Sequence, residues 1–142
     1  MPGIDKEYNI KARDFLHAGE GSIQIKKYLK SIGLESDLIR RIAVCAYESE
    51  MNVVMHGGAG IMHLIMNDDK IIIEVKDDGP GIGDINLALM EGYSTAQEEY
   101  RQMGFGAGMG LPNIVKNSDS LEISSNEGEG TCLIISFFII QG

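Results

Sequence analysis

The sequence has little positive charge, few cysteines and no long apolar run, and each shortage excludes a class of protein. It holds 12 Lys and Arg against 21 Asp and Glu, which argues against sequence-independent nucleic-acid binding because that binding needs cations to displace counterions. The two cysteines, Cys45 and Cys132, lie far apart in apolar segments, so we expect buried thiols. No apolar run is long enough to cross a membrane, and the first residues do not resemble a signal peptide. We therefore expect a cytoplasmic protein that binds neither nucleic acid nor membrane.

Several common catalytic motifs are absent as well. The HExxH motif of zinc proteases does not occur, and no cluster of Cys and His offers enough zinc ligands. The glycine-rich segment "GFGAGMG" does not end in the Gly-Lys-Ser/Thr of a P-loop, and no βαβ unit follows it as in a dinucleotide-binding fold. Chemistry therefore has to come from other residues.

The order of apolar patterns predicts the fold class. The 142 residues, 44% of them apolar, suit a single domain over residues 1–142. Helices are predicted over residues 22–32, 36–56 and 84–93 and from Leu111 onwards, and strands around residues 8–12 and over 61–66, 71–76, 121–125 and 131–140. The tight polar segment "NDDK" between the strands 61–66 and 71–76 predicts an antiparallel hairpin. Because these elements come in blocks, we expect an α+β fold, a two-layer sandwich of a mostly antiparallel sheet with helices on one face.

The second predicted helix carries two polar side chains at helical spacing. Glu48 and Asn52 lie four residues apart, and therefore on one side of the helix, one turn from each other. A carboxylate and an amide oxygen on one stripe are suited to hold Mg²⁺ beside phosphates or to accept a proton from a hydroxyl. The alternative is an ordinary solvated polar face. We expect Glu50 to point elsewhere and to be solvated.

Two glycine-rich turns follow in the sequence. In "DDGPGIGD", Asp77 ends a predicted strand, where its carboxylate could accept a hydrogen bond from an exocyclic amine such as that of adenine. An ordinary strand-to-helix turn is the alternative. In "GFGAGMGLPN", glycines stand at 104, 106, 108 and 110 directly before a helix, where backbone N–H groups favour an anion. A flexible linker is the alternative there.

The three segments, in this order, resemble the boxes of the GHKL or Bergerat-fold ATP-binding family, which gyrase, the Hsp90 chaperones, histidine kinases and MutL share. The segments "AYESEMNVVMHGG", "GFGAGMGLPNIVK" and "NEGEGT" are similar to those of the bacterial anti-sigma-factor serine/threonine kinases, such as the stressosome switch kinase and the sporulation anti-sigma kinase. The resemblance covers the chain from about residue 8 to its end.

The resemblance implies a role for each box. Glu48 would be the general base, and Asn52 would ligate the Mg²⁺ that bridges the ATP phosphates. Asp77 would bind the adenine amine, and Thr131 would help to hold Asp77. The remaining implied nucleotide-binding residues are glycines, Gly79 and Gly81 in the adenine pocket and Gly106, Gly108 and Gly110 at the phosphates, with a lid over about residues 84–109.

The implied function is that of an ATP- and Mg²⁺-dependent protein serine/threonine kinase. It would phosphorylate an antagonist protein and control transcription by partner switching, with a sigma factor as a further partner. A homodimer is also implied, with the N-terminal strand and first helix as candidate interface. Two alternatives stay open: a histidine-kinase-type ATPase domain, and a clamp that binds ATP and a sigma factor or antagonist without catalysis.

Overall fold

One antiparallel sheet organises the chain. The computed structural model describes residues 3–11, 14, 16–56, 59–79, 110–125 and 130–139. Within them the strands are β1 (Ile4–Ile10), β2 (Gly60–Met66), β3 (Lys70–Asp77), β4 (Ser120–Ser125) and β5 (Thr131–Phe138). Their spatial order is β1-β2-β3-β5-β4, and every neighbouring pair is antiparallel. The described helices are α1 (Glu20–Ser31), α2 (Ser36–His56) and α3 (Gly110–Asn117).

Alternation along the strands places the core between the sheet and the helices. Every second strand residue is buried, as a strand with one covered face requires. The helices supply the other half of the same apolar cluster. Each fully buried aliphatic or aromatic side chain contributes about 1.5–3 kcal/mol. Central members are Leu64, Ile71, Ile73, Ile135 and Phe137 from the strands, and Ile25, Leu29, Ile42, Val53 and Ile114 from the helices. The predicted α+β sandwich is confirmed.

The tight turn predicted between the first two long strands is present. The Asn67 side-chain oxygen accepts hydrogen bonds from the N–H groups of Asp69 and Lys70, at 2.9 and 3.0 Å, which is the local bonding that makes asparagine a turn former. β2 and β3 then pair in register from Met66 opposite Ile71 to Gly60 opposite Asp77. This register brings the end of β3 to the beginning of β2.

Several details differ from the sequence-based expectations. The first strand, predicted around residues 8–12, is β1 over Ile4–Ile10. α1 begins at Glu20, two residues earlier than predicted. Cys45 is buried, but Cys132 is only half-buried, because it pairs with the exposed Lys76 on the sheet face away from the helices. The helix predicted over 84–93 and the lid predicted over about residues 84–109 lie outside the described residues. No helix in the described ranges is both long and apolar enough to cross a membrane.

Candidate functional site

Glu48 lies where α2 meets the first turn of α3. Its side chain is half-buried, and its Oε2 atom is 3.4 Å from the position that a Cβ on Gly110 would occupy. The Asn113 side chain, three residues further along α3, forms a hydrogen bond with the carboxylate. The first and third glycine-associated segments of the sequence therefore meet at this carboxylate.

Burial makes Glu48 a stronger base than an exposed glutamate. Desolvation raises the pKa of its carboxyl above the ordinary value, and the hydrogen bond from Asn113 lowers it in part. A raised carboxyl pKa lies nearer to neutral pH, where proton acceptance from a hydroxyl is more effective.

Asn52 lies one turn further along α2, towards the end of β3. It is half-buried, and among the described residues none forms a hydrogen bond with its amide. Its neighbour Val53 packs so closely on Gly60 that a Cβ there would lie 2.7 Å from a Val53 methyl carbon. Because Gly60 pairs with Asp77, this turn of α2 and Asp77 are at the same end of the sheet. An amide oxygen so placed fits Mg²⁺, which takes oxygen ligands beside phosphates.

Asp77 is the last residue of β3, and among the described residues only backbone N–H groups donate to its carboxylate. The Oδ1 atom accepts a hydrogen bond from the Gly79 N–H at 2.9 Å. Burial raises the pKa of the Asp77 carboxyl, the Gly79 N–H opposes that shift, the neighbouring Asp78 adds to it, and the backbone of Thr131 opposes it. A half-buried acceptor of this kind is suited to bind an exocyclic amine.

Gly130 directly precedes β5, and Thr131 is its first residue. Both residues pack against Asp77 at the end of β3. Gly130 has φ +83°, and a Cβ on it would overlap the Asp77 carbonyl oxygen, so only glycine fits. Thr131 is buried and pairs directly with Asp77 between β3 and β5. Its hydroxyl lies 2.9 Å from that of Ser125, so it is the backbone of Thr131 that contacts the Asp77 carboxylate.

Glu50 contradicts its sequence-based prediction. It is 3% exposed, and its two carboxylate oxygens accept hydrogen bonds from three backbone N–H groups at the start of α1. The donors are Gly19 at 3.1 Å, Gly21 at 3.2 Å and Ser22 at 3.0 Å. The prediction of a solvated side chain was wrong because residue 50 follows Ala46 by four positions and precedes Val53 by three, which places it on the buried stripe of α2.

Two further residues were missed from the sequence. Asn113 was one, since nothing local marks it as a partner of Glu48. Arg41 was the other: its Nε donates to the Asn117 carbonyl at 2.9 Å, and its Nη2 donates to Asp119 at 3.0 Å. It thereby joins the C-terminal end of α3 to α2. The buried Glu50 could have been found, because a glutamate on an apolar stripe needs buried partners.

Two of the predicted nucleotide-binding glycines lie within the described residues. Gly79 and Gly110 are described and lie beside Asp77 and Glu48 respectively. Gly81, Gly106 and Gly108 lie outside the described residues. In the described part of the chain, no group of three or more His, Cys, Asp and Glu is arranged to hold a metal ion.

Comparison with known proteins assigns this arrangement to a family. Residues 37–140 match the model of the histidine kinase-, DNA gyrase B- and HSP90-like ATPases. The chain belongs to this ATPase family. Membership implies ATP binding, and the resemblance inferred from the three glycine-associated segments is confirmed.

Curated relatives narrow the comparison within the family. The chain is 33% identical over 106 residues to an anti-sigma F factor of Thermoanaerobacter sp. (strain X514), covering 71% of each protein. It is 31% identical over 104 residues to an anti-sigma F factor of Caldanaerobacter subterraneus subsp. tengcongensis, covering 73% of this chain and 65% of that protein, slightly under two thirds. It is 29% identical over 106 residues to the serine/threonine-protein kinase RsbT of Bacillus subtilis, covering 72% of this chain and 74% of RsbT.

Solved structures share the fold. A chain in the crystal structure of the SiaB–SiaC complex from Pseudomonas aeruginosa superposes with a TM-score of 0.65 at 13% identity, covering 93% of this chain and 88% of that one. The mycobacterial sensor histidine kinase MprB superposes with a TM-score of 0.52 at 13% identity, covering 95% and 97%.

Proposed function

We propose that the protein is an ATP- and Mg²⁺-dependent protein serine/threonine kinase of the anti-sigma-factor type. It transfers the γ-phosphoryl group of ATP to a Ser or Thr hydroxyl of an antagonist protein, and so controls transcription by partner switching. One observation carries the proposal: the half-buried Glu48 carboxylate, with its raised pKa, lies against Gly110 and Asn113 at the start of α3. That is where a helix N-terminus favours phosphate.

Glu48 acts in the transfer step. It accepts the proton of the acceptor hydroxyl as the oxygen attacks the γ-phosphorus, the bond from that phosphorus to the bridging β-phosphate oxygen breaks, and ADP leaves. Positioning and charge neutralisation supply most of the rate enhancement in this chemistry. The carboxylate needs both basicity and a fixed orientation, and its burial and its partner on α3 support both.

The nucleotide is held by residues of all three boxes. Asp77 accepts a hydrogen bond from the adenine amine, with Gly79 and Gly81 in the same pocket, and the backbone of Thr131 keeps Asp77 in place. Asn52 offers its amide oxygen to Mg²⁺, which when bound neutralises part of the phosphate charge. The phosphates are bound by backbone N–H groups of three glycines, Gly106, Gly108 and Gly110.

Two observations support the partners of this proposal: the chain is similar to anti-sigma F factors, and its surface exposes apolar side chains. An antagonist protein is the phosphate acceptor, a sigma factor is a further partner, and the protein forms a homodimer. Exposed apolar side chains near α1 support a protein-binding surface there: Leu16 is 87% exposed, Ile23 54% and Ile32 41%.

The test is phosphoryl transfer from labelled ATP to candidate antagonists in the presence of Mg²⁺. Glu48→Gln is expected to keep ATP affinity and to lower the transfer rate about 10²- to 10⁴-fold, the usual contribution of a positioned base. Glu122→Gln, which removes the same charge from an exposed position on β4, is the matched control and is expected to transfer normally.

Each outcome of that experiment has one interpretation. Phosphoserine or phosphothreonine on the antagonist supports the proposal. Phosphohistidine indicates the histidine-kinase alternative, and an ATP-dependent complex without transfer indicates the clamp. Transfer by Glu48→Gln at the native rate would remove Glu48 from the role of base.

A further inference from the structure

Three side chains of α2 contact α3 along one stripe. Arg41, Cys45 and Glu48 are spaced four and three residues apart, which places them on one side of the helix. Arg41 donates to the Asn117 carbonyl at 2.9 Å, and the Cys45 thiol donates to the Ile114 carbonyl at 3.7 Å. Glu48 forms a hydrogen bond with Asn113 and lies beside Gly110. The partners run backwards along α3, so the two helices lie antiparallel and the Glu48 contact is the last of the series.

The contact between Glu48 and Asn113 lies in the first turn of α3, at the N-terminal end of that helix. Gly110 begins α3, and the buried Leu111, Pro112 and Ile114 on either side of Asn113 fix the first turn in the core. The Asn113 side chain is therefore presented to Glu48 by a rigid element rather than by a loop. A hydrogen-bond donor held in this way restricts the orientation of the carboxylate that it contacts.

We propose that Asn113 is a positioning residue, whose side-chain amide orients and tunes the Glu48 carboxylate and thereby joins the phosphate-side end of α3 to the general base. The inference rests on the function proposed for Glu48. It adds to that function a residue of α3 that acts through Glu48 and does not touch the reacting atoms.

The surroundings of Glu48 allow its titration to be followed cleanly. The described titratable groups whose charges interact with it are the Cys45 thiol and the Tyr47 phenol, both on α2. Burial raises the pKa of Cys45 to about 12 and also raises that of Tyr47. Both groups therefore stay neutral while the carboxyl titrates, and Asn113 carries no charge at any pH.

The first measurement is the titration of Glu48 by carboxyl-carbon NMR in the nucleotide-free protein. The Asn113 hydrogen bond lowers the pKa of Glu48, so Asn113→Ala is expected to raise the midpoint, and Asn113→Asp, which adds a like charge, to raise it further. Asn9→Ala, an exposed asparagine on β1, is the matched control and is expected to leave it unchanged. An unchanged midpoint in both Asn113 variants overturns the inference, whether or not the protein is a kinase.

The second measurement is the pH profile of phosphoryl transfer. With Asn113→Ala, the acidic limb is expected to move to higher pH, and the rate below the midpoint to fall about two- to tenfold, the range that one hydrogen bond supplies. ATP affinity is expected to stay the same. In a Glu48→Gln background, Asn113→Ala should have no further effect, because the two substitutions act through one group.

The two proposals fail in different ways. If the Glu48 titration midpoint shifts in the Asn113 variants but no phosphoryl transfer occurs, the Asn113–Glu48 coupling is supported and the proposed kinase function is wrong. If transfer occurs but the effects of Asn113→Ala and Glu48→Gln are additive, the kinase function is supported and the positioning role of Asn113 is wrong. Folding is checked by thermal unfolding; the Asn117 amide bonds to the backbone carbonyl of Asn113, so that bond survives either substitution.

Discussion

Glu48 and Glu50 stand two residues apart on α2, and their surroundings differ in the number of partners. Glu50 is 3% exposed and accepts three backbone hydrogen bonds at the start of α1. Glu48 is half-buried, and within the described ranges it has one side-chain partner, Asn113 on α3. A carboxylate whose oxygens are all occupied holds two elements together, whereas one with free acceptor capacity is available for chemistry. Burial and the number of donors together separate the structural glutamate from the candidate catalytic one.

The same distinction applies at the other end of the site. The Asp77 carboxylate is half-buried and accepts backbone hydrogen bonds from Gly79 and Thr131, yet burial still keeps its pKa raised. Like Glu48 it is half-buried, whereas Glu50 is almost fully buried. Substitutions that remove each carboxylate should distinguish the two classes. Loss of the structural carboxylate of Glu50 should lower stability, whereas loss of the carboxylate of Glu48 or Asp77 should lower phosphoryl transfer or ATP binding.

The largest effect on stability is expected from Glu50→Ala. It leaves the N–H groups of Gly19, Gly21 and Ser22 without their acceptor in a buried place, so the free energy of unfolding should fall by about 3–5 kcal/mol. Chemical denaturation measures this loss. Glu122→Ala, from an exposed position, is expected to change it by less than about 0.5 kcal/mol. A loss below about 1 kcal/mol for Glu50→Ala would place Glu50 outside the structural class.

A smaller effect, on binding, is expected from Asp77→Asn. Loss of a hydrogen bond to a charged acceptor costs about 1.5–3 kcal/mol, so ATP affinity measured by calorimetry should fall at least about tenfold, while tripolyphosphate should bind unchanged. Asp69→Asn, in the exposed turn between β2 and β3, serves as the control. Equal losses for ATP and tripolyphosphate would contradict the adenine role.

Arg41→Ala tests whether α3 depends on its attachment to α2. Its contacts with Asn117 and Asp119 are partly exposed, so we expect a loss of about 1–2 kcal/mol in the free energy of unfolding. The neighbouring Arg40 forms an exposed ion pair with Asp37, and Arg40→Ala is expected to cost about 0.5 kcal/mol or less. Equal losses in the two variants would show that the contact of Arg41 with α3 contributes no more to the free energy of unfolding than an exposed ion pair.

The smallest effect is expected from Glu48→Gln on stability, and it has the opposite sign. Because burial raises the pKa of Glu48 in the folded state, the wild-type protein loses stability as pH rises through that pKa. The neutral glutamine avoids this loss, so the variant should be more stable by about 0.5–1 kcal/mol near neutral pH, with the gain disappearing in acid. Thermal unfolding across pH measures it, and a gain that persists in acid would contradict its electrostatic origin.

Features set by local sequence patterns could be predicted, whereas contacts between segments far apart in the chain could not. The bounds of α2 and the pairing of β2 with β3 followed from apolar periodicity and a polar turn, because neighbours in sequence decide both. Glu50 was misplaced although the helical spacing from Ala46 already put it on the buried stripe. The contact of Asn113 with Glu48 could not be predicted, because it depends on how two helices far apart in the chain pack against each other.

The sequence by itself determined the family, since the three boxes lie in short segments whose residue types and spacing are read without the fold. It also determined the two-layer arrangement, because strand and helix periods differ. Only the tertiary structure decided which carboxylates are satisfied and which keep free acceptors in the part of the chain that the structure describes. That distinction depends on donors from distant segments, Gly19 and Gly21 for Glu50 and Asn113 for Glu48, and packing across the core alone brings such donors within bonding distance.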